Sequence, residues 1–203
     1  SSAASDVYKR QCSKIENGKL RVDQGVIAGC AGGLYDSIYE AASILKGHTG
    51  GCGDYALSVY PGSQPIMMEL VRTGVIGELM ASGATIRTAF CGPCFGAGDV
   101  PANDALSIRH TTRNFPNREG SKPGDGQLSG VILMDARSIA ATARNHGVLT
   151  SAADVDYDAP SPAERRFDAS VYDKRVYRGF GHPQPDAPLQ YLSLIHISEP
   201  TRL

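Results

Sequence analysis

Cys91-Gly92-Pro93-Cys94 puts two thiols two residues apart in a Gly/Pro loop, a spacing that can hold a metal or a cluster or form a redox pair. About twenty residues later, Arg113-Asn114-Phe115-Pro116-Asn117-Arg118-Glu119-Gly120-Ser121 sets two arginines in a second loop. Planar guanidinium forks grip carboxylates at two points, so Arg113 and Arg118 are candidate substrate-binding residues. A third thiol, Cys30, lies about sixty residues upstream in Ile27-Ala28-Gly29-Cys30-Ala31-Gly32-Gly33. Singly, each feature stays open: CxxC also suits zinc or a disulfide pair, and loop arginines also make surface ion pairs. Three thiolates, however, can hold a four-iron cube and leave one iron without a protein ligand. Such an iron is a Lewis acid that weakens a C–O bond. Electron-transfer clusters generally take four cysteines, so three is the number that suits catalysis.

The elements that must position these residues alternate between strand and helix. A β-prone run ends in Val26-Ile27-Ala28 and is closed by Gly29. Leu34 to Leu45 carries Leu34, Ile38, Ala41, Ala42 and Leu45 on one helical face, with Gly47 as a stop. A second strand is expected over Ala56–Tyr60, broken by Pro61-Gly62. Ser63 can cap a helix bearing Ile66, Met67, Leu70 and Val71, with a break at Gly74 and a continuation to about Met80. Thr85–Phe90 is expected as a third strand and Val131–Met134 as a fourth, with Asp135 capping a helix to Asn145. Strand spacings near thirty residues leave room for crossovers and a parallel sheet. The expected fold is therefore α/β, a three-layer α/β/α with a mostly parallel sheet. Cys30 then falls just past strand one and Cys91 just past strand three. Ligands in open parallel sheets collect outside the carboxyl ends of strands, so these loops should meet at that edge.

Together, Cys30, Cys91-Gly92-Pro93-Cys94 and the Arg113–Arg118 loop resemble the aconitase / 3-isopropylmalate dehydratase large-subunit superfamily. The resemblance runs from about Arg21 to Thr150 and matches the third of the family's four domains. It implies a [4Fe-4S] cluster on Cys30, Cys91 and Cys94, and a small carboxylate substrate on Arg113 and Arg118. It also implies that the general-base serine and the histidine–carboxylate pairs lie in other domains of the same parent chain. A fragment of this kind would not turn over alone. Two departures mark a divergent aconitase-like hydratase subgroup: Ala31-Gly32-Gly33 stands where Thr-Asn-Ser is usual, and Thr112 where Asn precedes the first arginine. Asp99 matches an aspartate at the same offset in the family, with a turn-capping role as the alternative. Cys52 is a candidate fourth thiolate that the family pattern does not use. Arg109 and His110 precede the arginine loop, His110 as a structural histidine. Glu119 and Lys122 are expected to face solvent, and Met67 and Met68 to pack in the core.

Composition narrows the remaining readings. Twenty basic and 21 acidic residues give a net charge of −1, without a basic stripe for nucleic acid. No apolar run approaches the roughly 20 residues that span a bilayer. Five cysteines in uneven spacing suggest reduced thiols in a cytoplasm. The ends carry a separate signal. One codon choice for Asp6-Val7-Tyr8-Lys9-Arg10-Gln11 has a reverse complement that translates as Leu192-Ser193-Leu194-Ile195-His196-Ile197. Residues 1–11 and 192–203 are therefore expected to be adapter-derived tails, with a domain at 12–152 and an extended, proline-rich interdomain linker at 153–191. Three functions remain open: a hydro-lyase, a regulatory or RNA-binding relative that has lost its cluster, and a zinc-stabilised structural domain.

Overall fold

The computed structural model describes residues 13–50, 53, 55–112, 117–160, 166, 168–176, 179, 181–183, 185 and 186. Arg113, Cys12, Cys52 and both expected tails lie outside the described residues. The chain divides into a unit spanning Ser1–Ala169 and one spanning Ser170–Leu203. The second contains one short helix, Ser170–Asp173, among its described residues.

In the first unit a hairpin, β1 (Ile15–Glu16) and β2 (Lys19–Leu20), turns through Asn17 and Gly18. Both turn residues have positive φ, 51° and 75°, the geometry an Asn-Gly type I′ turn requires. The body is a five-stranded sheet in the order β5-β4-β3-β6-β7, with every neighbour parallel. Its strands are β3 (Gln24–Ile27), β4 (Ala56–Val59), β5 (Thr85–Ile86), β6 (Leu106–His110) and β7 (Gly130–Leu133). Helices α1 (Gly29–Gly32) and α2 (Tyr35–Leu45) follow β3. Helices α3 (Gln64–Arg72) and α4 (Val75–Ala81) follow β4, and α5 (Ala136–Arg144) follows β7. The fold is α/β with a mostly parallel sheet and helices, in keeping with a three-layer α/β/α arrangement.

Strand order decides which face each connection covers. The connections from β3 to β4 and from β4 to β5 step one way along the sheet, and those from β5 to β6 and β6 to β7 step the other way. Right-handed crossovers then put the first pair on one face and the second pair on the opposite face. The direction reverses between β3 and β6, so the crevice for a ligand opens at their carboxyl ends.

The side chains agree. Ile27, Leu57, Val59, Leu106 and Ile108 form one apolar core with α2, α3, α4 and α5. Ala41 and Ala42 of α2 and Ala140, Ala141 and Ala143 of α5 are all buried in it, small enough to let those two helices approach closely. Val26, Ala28 and Tyr60 point to the other face. There they share the strands with Gln24, Ser58, Ser107 and Arg109, and the connection from β5 to β6 lies over them through Pro93 and Asp99.

Two strands differ from the sequence expectation. The third ends at Ile86 rather than Phe90, because its single neighbour β4 ends at Val59 and Pro61 follows with no N–H to continue the ladder. The interior strand β6 has no counterpart in the sequence expectation. Arg109 and His110 break its apolar pattern, although Leu106 and Ile108 alternate with Ser107 and Arg109 as a strand demands.

Candidate metal centre and arginine loop

The switch point is built from glycine and threonine. Gly29 takes φ +73° immediately after β3, and α1 then carries Cys30 outward. A Cβ on Gly29 would stand 2.6 Å from the Cys94 sulfur, so that sulfur lies directly against the backbone beside Cys30. On the β6 side, Thr112 Oγ1 is 3.2 Å from Cys30 Sγ. Close packing requires a glycine at position 32. A Cβ on Gly32 would fall 2.2 Å from the His110 carbonyl oxygen, so α1 seats against β6 where only glycine fits.

The second pair of thiols sits on a 3₁₀ turn, Gly92–Cys94, closed by Cys94 N donating to Cys91 O at 3.1 Å. Cys94 is buried, whereas Cys30 and Cys91 are exposed. Burial pushes the Cys91 thiol up, helped by a hydrogen bond with Cys94 and by the nearby Cys94 and Cys30 sulfurs, while Arg118 opposes. Phe90 and Phe95 flank the turn as an edge-to-face pair with centroids 5.8 Å apart.

Behind the turn lies a polar network. Arg109, fully buried, donates from Nε to Ser107 Oγ at 3.0 Å and from Nη1 to Pro93 O at 3.0 Å. Its Nη2 donates to Gln24 Oε1 at 3.2 Å and to Asp99 O at 2.5 Å. Asp99 has φ 47°, unusual for a residue with a side chain. Its carboxylate accepts from Ser58 Oγ at 3.0 Å, Tyr60 Oη at 2.5 Å and Arg87 Nη2 at 3.3 Å. Burial, the Asp99 hydrogen bond and the Asp99 charge together push the Tyr60 phenol up to about 12, against Arg87 and Arg109.

Among the residues singled out from sequence, Arg118 Nε donates to the Cys94 carbonyl, so this arginine touches the thiol loop directly. Arg113 lies outside the described residues. His110 Nδ1 accepts from Ala136 N at 3.1 Å, a structural role at the start of α5. Glu119 corrects an expectation: it is buried, and its carboxylate accepts from Ser121 Oγ and, at 2.9 Å, from Ser129 Oγ. Lys122 is exposed. Met67 packs against the core, but Met68 is exposed because the helix turns it away from the sheet. Sequence reasoning did not anticipate the Tyr60–Asp99–Arg109 network. Its one signal was the polar residues Gln24, Ser58, Ser107 and Arg109 at alternate positions of otherwise apolar strands.

Thiolates are the donors a four-iron cube takes, and Cys30, Cys91 and Cys94 supply three free ones. Among the described residues, no three His, Cys, Asp or Glu side chains gather closely enough to share one metal ion. A cube asks for less, since each thiolate takes an iron of its own. Among the described residues, no helix is long and apolar enough to cross a membrane.

A parallel α/β sheet that draws Cys30, Thr112 and Cys94 together at its switch point defines the class, an α/β domain with thiols at the carboxyl edge of its sheet. The profile of the Aconitase family (aconitate hydratase) matches residues 1–141. The chain belongs to the aconitase family. It is 35% identical over 129 residues to a 3-isopropylmalate dehydratase large subunit of Thermoanaerobacter pseudethanolicus, covering 62% of this chain and 30% of that protein. A protein of the same description from Desulfitobacterium hafniense is 34% identical over 127 residues, with 62% and 30% covered. One from Helicobacter hepaticus is 29% identical over 144 residues, with 70% and 32% covered. The chain spans about 30% of the length of these curated relatives.

Proposed function

We propose that this chain is the cluster-binding domain of a [4Fe-4S]-dependent hydro-lyase that adds or removes water on a hydroxy-polycarboxylate. The observation that carries the reading is the seat of the Cys94 sulfur against Gly29, one residue from Cys30, at the topological switch point. The relatives' printed activity, dehydration of 3-isopropylmalate, supports a substrate with a hydroxyl and more than one carboxylate. Cys30, Cys91 and Cys94 would hold the cluster. When bound, it supplies an iron without a protein ligand, a Lewis acid toward the substrate hydroxyl and carboxylate. Arg113 and Arg118 bind substrate carboxylate as fixed cations. Arg118 also ties the loop through the Cys94 carbonyl. The general base and the remaining substrate contacts come from other domains of a longer cytoplasmic parent, reached through the proline-rich segment 153–191. The chain alone would bind a cluster without turning over.

Anaerobic reconstitution with iron and sulfide tests the first half. Iron and sulfide in equal amounts support the cluster, and zinc in their place would make the domain structural. In the parent, Arg113→Lys keeps the charge but loses the planar grip on a carboxylate. It should leave cluster absorbance unchanged and lower kcat/KM by roughly a hundredfold, the worth of a charge-assisted contact of about 2–3 kcal/mol. Cys94→Ser should remove the cluster first and activity as a consequence. Normal kinetics in Arg113→Lys would leave carboxylate binding to residues elsewhere.

A further inference from the structure

We propose that Arg109 is a positioning residue for the thiol site, its planar fork fixing the Cys91–Cys94 turn against the sheet through the Pro93 carbonyl. The inference rests on the reading that the three thiols form one site, but it concerns residues that reading does not use. Arg109 ranks among the largest fully buried side chains of the chain, and a buried cation normally sits on a carboxylate. Here its four described hydrogen bonds go to two backbone carbonyls, an amide oxygen and a hydroxyl. Both carbonyls belong to the connection that carries the thiols. Pro93 O lies inside the Cys91–Cys94 turn, and Asp99 O lies five residues past Cys94.

The amide and the hydroxyl, by contrast, belong to the two strands that flank the crevice, Gln24 on β3 and Ser107 on β6. One guanidinium therefore joins the loop to both of these strands at once. Gln24 Nε2 and Arg109 Nη2 converge on the Asp99 carbonyl, and the Asp99 carboxylate is held in turn by Ser58 and Tyr60 on the neighbouring β4 side. Arg118 grips the next carbonyl along, that of Cys94, so two arginines hold consecutive carbonyls of the turn. The charge of Arg109 is offset at longer range by Glu119, Asp99 and Cys94.

A lysine cannot reproduce this. Its ammonium keeps the charge but cannot reach acceptors on the loop and on two strands in one plane. The test is thiol alkylation by iodoacetamide in the metal-free full chain, followed by mass spectrometry at each cysteine. Cys94 is buried by the turn and Cys30 is already exposed, so the two serve as probe and internal reference. Arg109→Lys and Arg109→Gln should each speed alkylation of Cys94 by tenfold or more while leaving Cys30 unchanged. Arg109→Lys with wild-type protection of Cys94 would overturn the proposal. Equal acceleration at Cys30 and Cys94 would also overturn it, since that reports general loosening of the fold. Tyr60→Phe keeps the ring and removes only the hydroxyl from Asp99, so it carries the same test if the Arg109 variants do not fold. It should accelerate Cys94 alone by a few-fold, and an unchanged Cys94 would count against the network. This readout needs no cluster. A chain that shows selective release of Cys94 yet binds no iron and sulfide would refute the proposed function and leave the role of Arg109 standing.

Discussion

Gly29→Ala separates backbone strain from damage to the thiol site. Gly29 has φ +73°, a conformation that costs a residue with a Cβ about 1–2 kcal/mol. The new Cβ would also meet the Cys94 sulfur at 2.6 Å. Ordinary contact lies near 3.5–4 Å, so the sulfur must retreat by about 1 Å, an overpacking cost of about 1–3 kcal/mol. Together these give a loss on the order of 2–5 kcal/mol in the metal-free chain. Gly47→Ala is the matched control, with φ +74° and nothing within 4 Å of its Cβ, so it carries the backbone cost alone. Metal ligation tolerates displacements of only about 0.2 Å, far less than the retreat expected of Cys94. Urea denaturation should therefore show a larger loss for Gly29→Ala than for Gly47→Ala. Anaerobic reconstitution should load Gly47→Ala with iron and sulfide like wild type and leave Gly29→Ala depleted. Two variants that match in both measurements would refute the placement of Cys94 against Gly29.

Two other outcomes are expected, one at His110 and one at the ends of the chain. Burial holds the His110 imidazole below its usual pKa, with Asp135 opposing, and Nδ1 must stay unprotonated to accept from Ala136 N. A depressed histidine pKa favours the fold above about pH 6.5. That contribution is lost as pH falls through the folded value. Stability measured from pH 7 to pH 5 should therefore decline in the wild type and decline less in His110→Asn, whose amide oxygen can accept the same bond. Identical pH profiles would remove His110 from this role. Deletion of residues 1–11 and 192–203 should change the unfolding free energy by less than about 0.5 kcal/mol, as inert surface changes do. A larger loss on denaturation would give those segments a place in the fold.

Much of the architecture was legible because period and punctuation agreed. Ser63 and Asp135, expected as helix caps, accept from Ile66 N at 3.4 Å and Ser138 N at 2.9 Å. Cys30 and the Cys91/Cys94 pair were expected at one sheet edge, and the Gly29–Cys94 contact fits that. The route differed, however. Cys91 does not end a strand; it follows an irregular segment after Ile86 and is carried in by the connection to β6. Strand β6 stayed hidden because the buried residues of its second face, Ser107 and Arg109, serve a polar network rather than an apolar core. Glu119 looked like a loop charge because the serines that bury it, Ser121 and Ser129, carry no periodic signal. Hydrogen bonds between loops leave no pattern in a linear sequence, whereas sheets and helices do.

The reversal of strand order between β3 and β6 has a consequence in time. Cys30 is synthesised before most of the sheet, yet its neighbours Cys94 and Thr112 arrive on connections that cross the opposite face. The central pairing of β3 with β6 spans some eighty residues, a long loop to close before any contact rewards it. Cys94 therefore reaches the backbone beside Cys30 only after both halves of the sheet have registered. If these thiols hold the proposed cluster, a nascent chain would offer an iron donor isolated cysteines first and a shared site last, so that cofactor delivery would follow folding rather than accompany it.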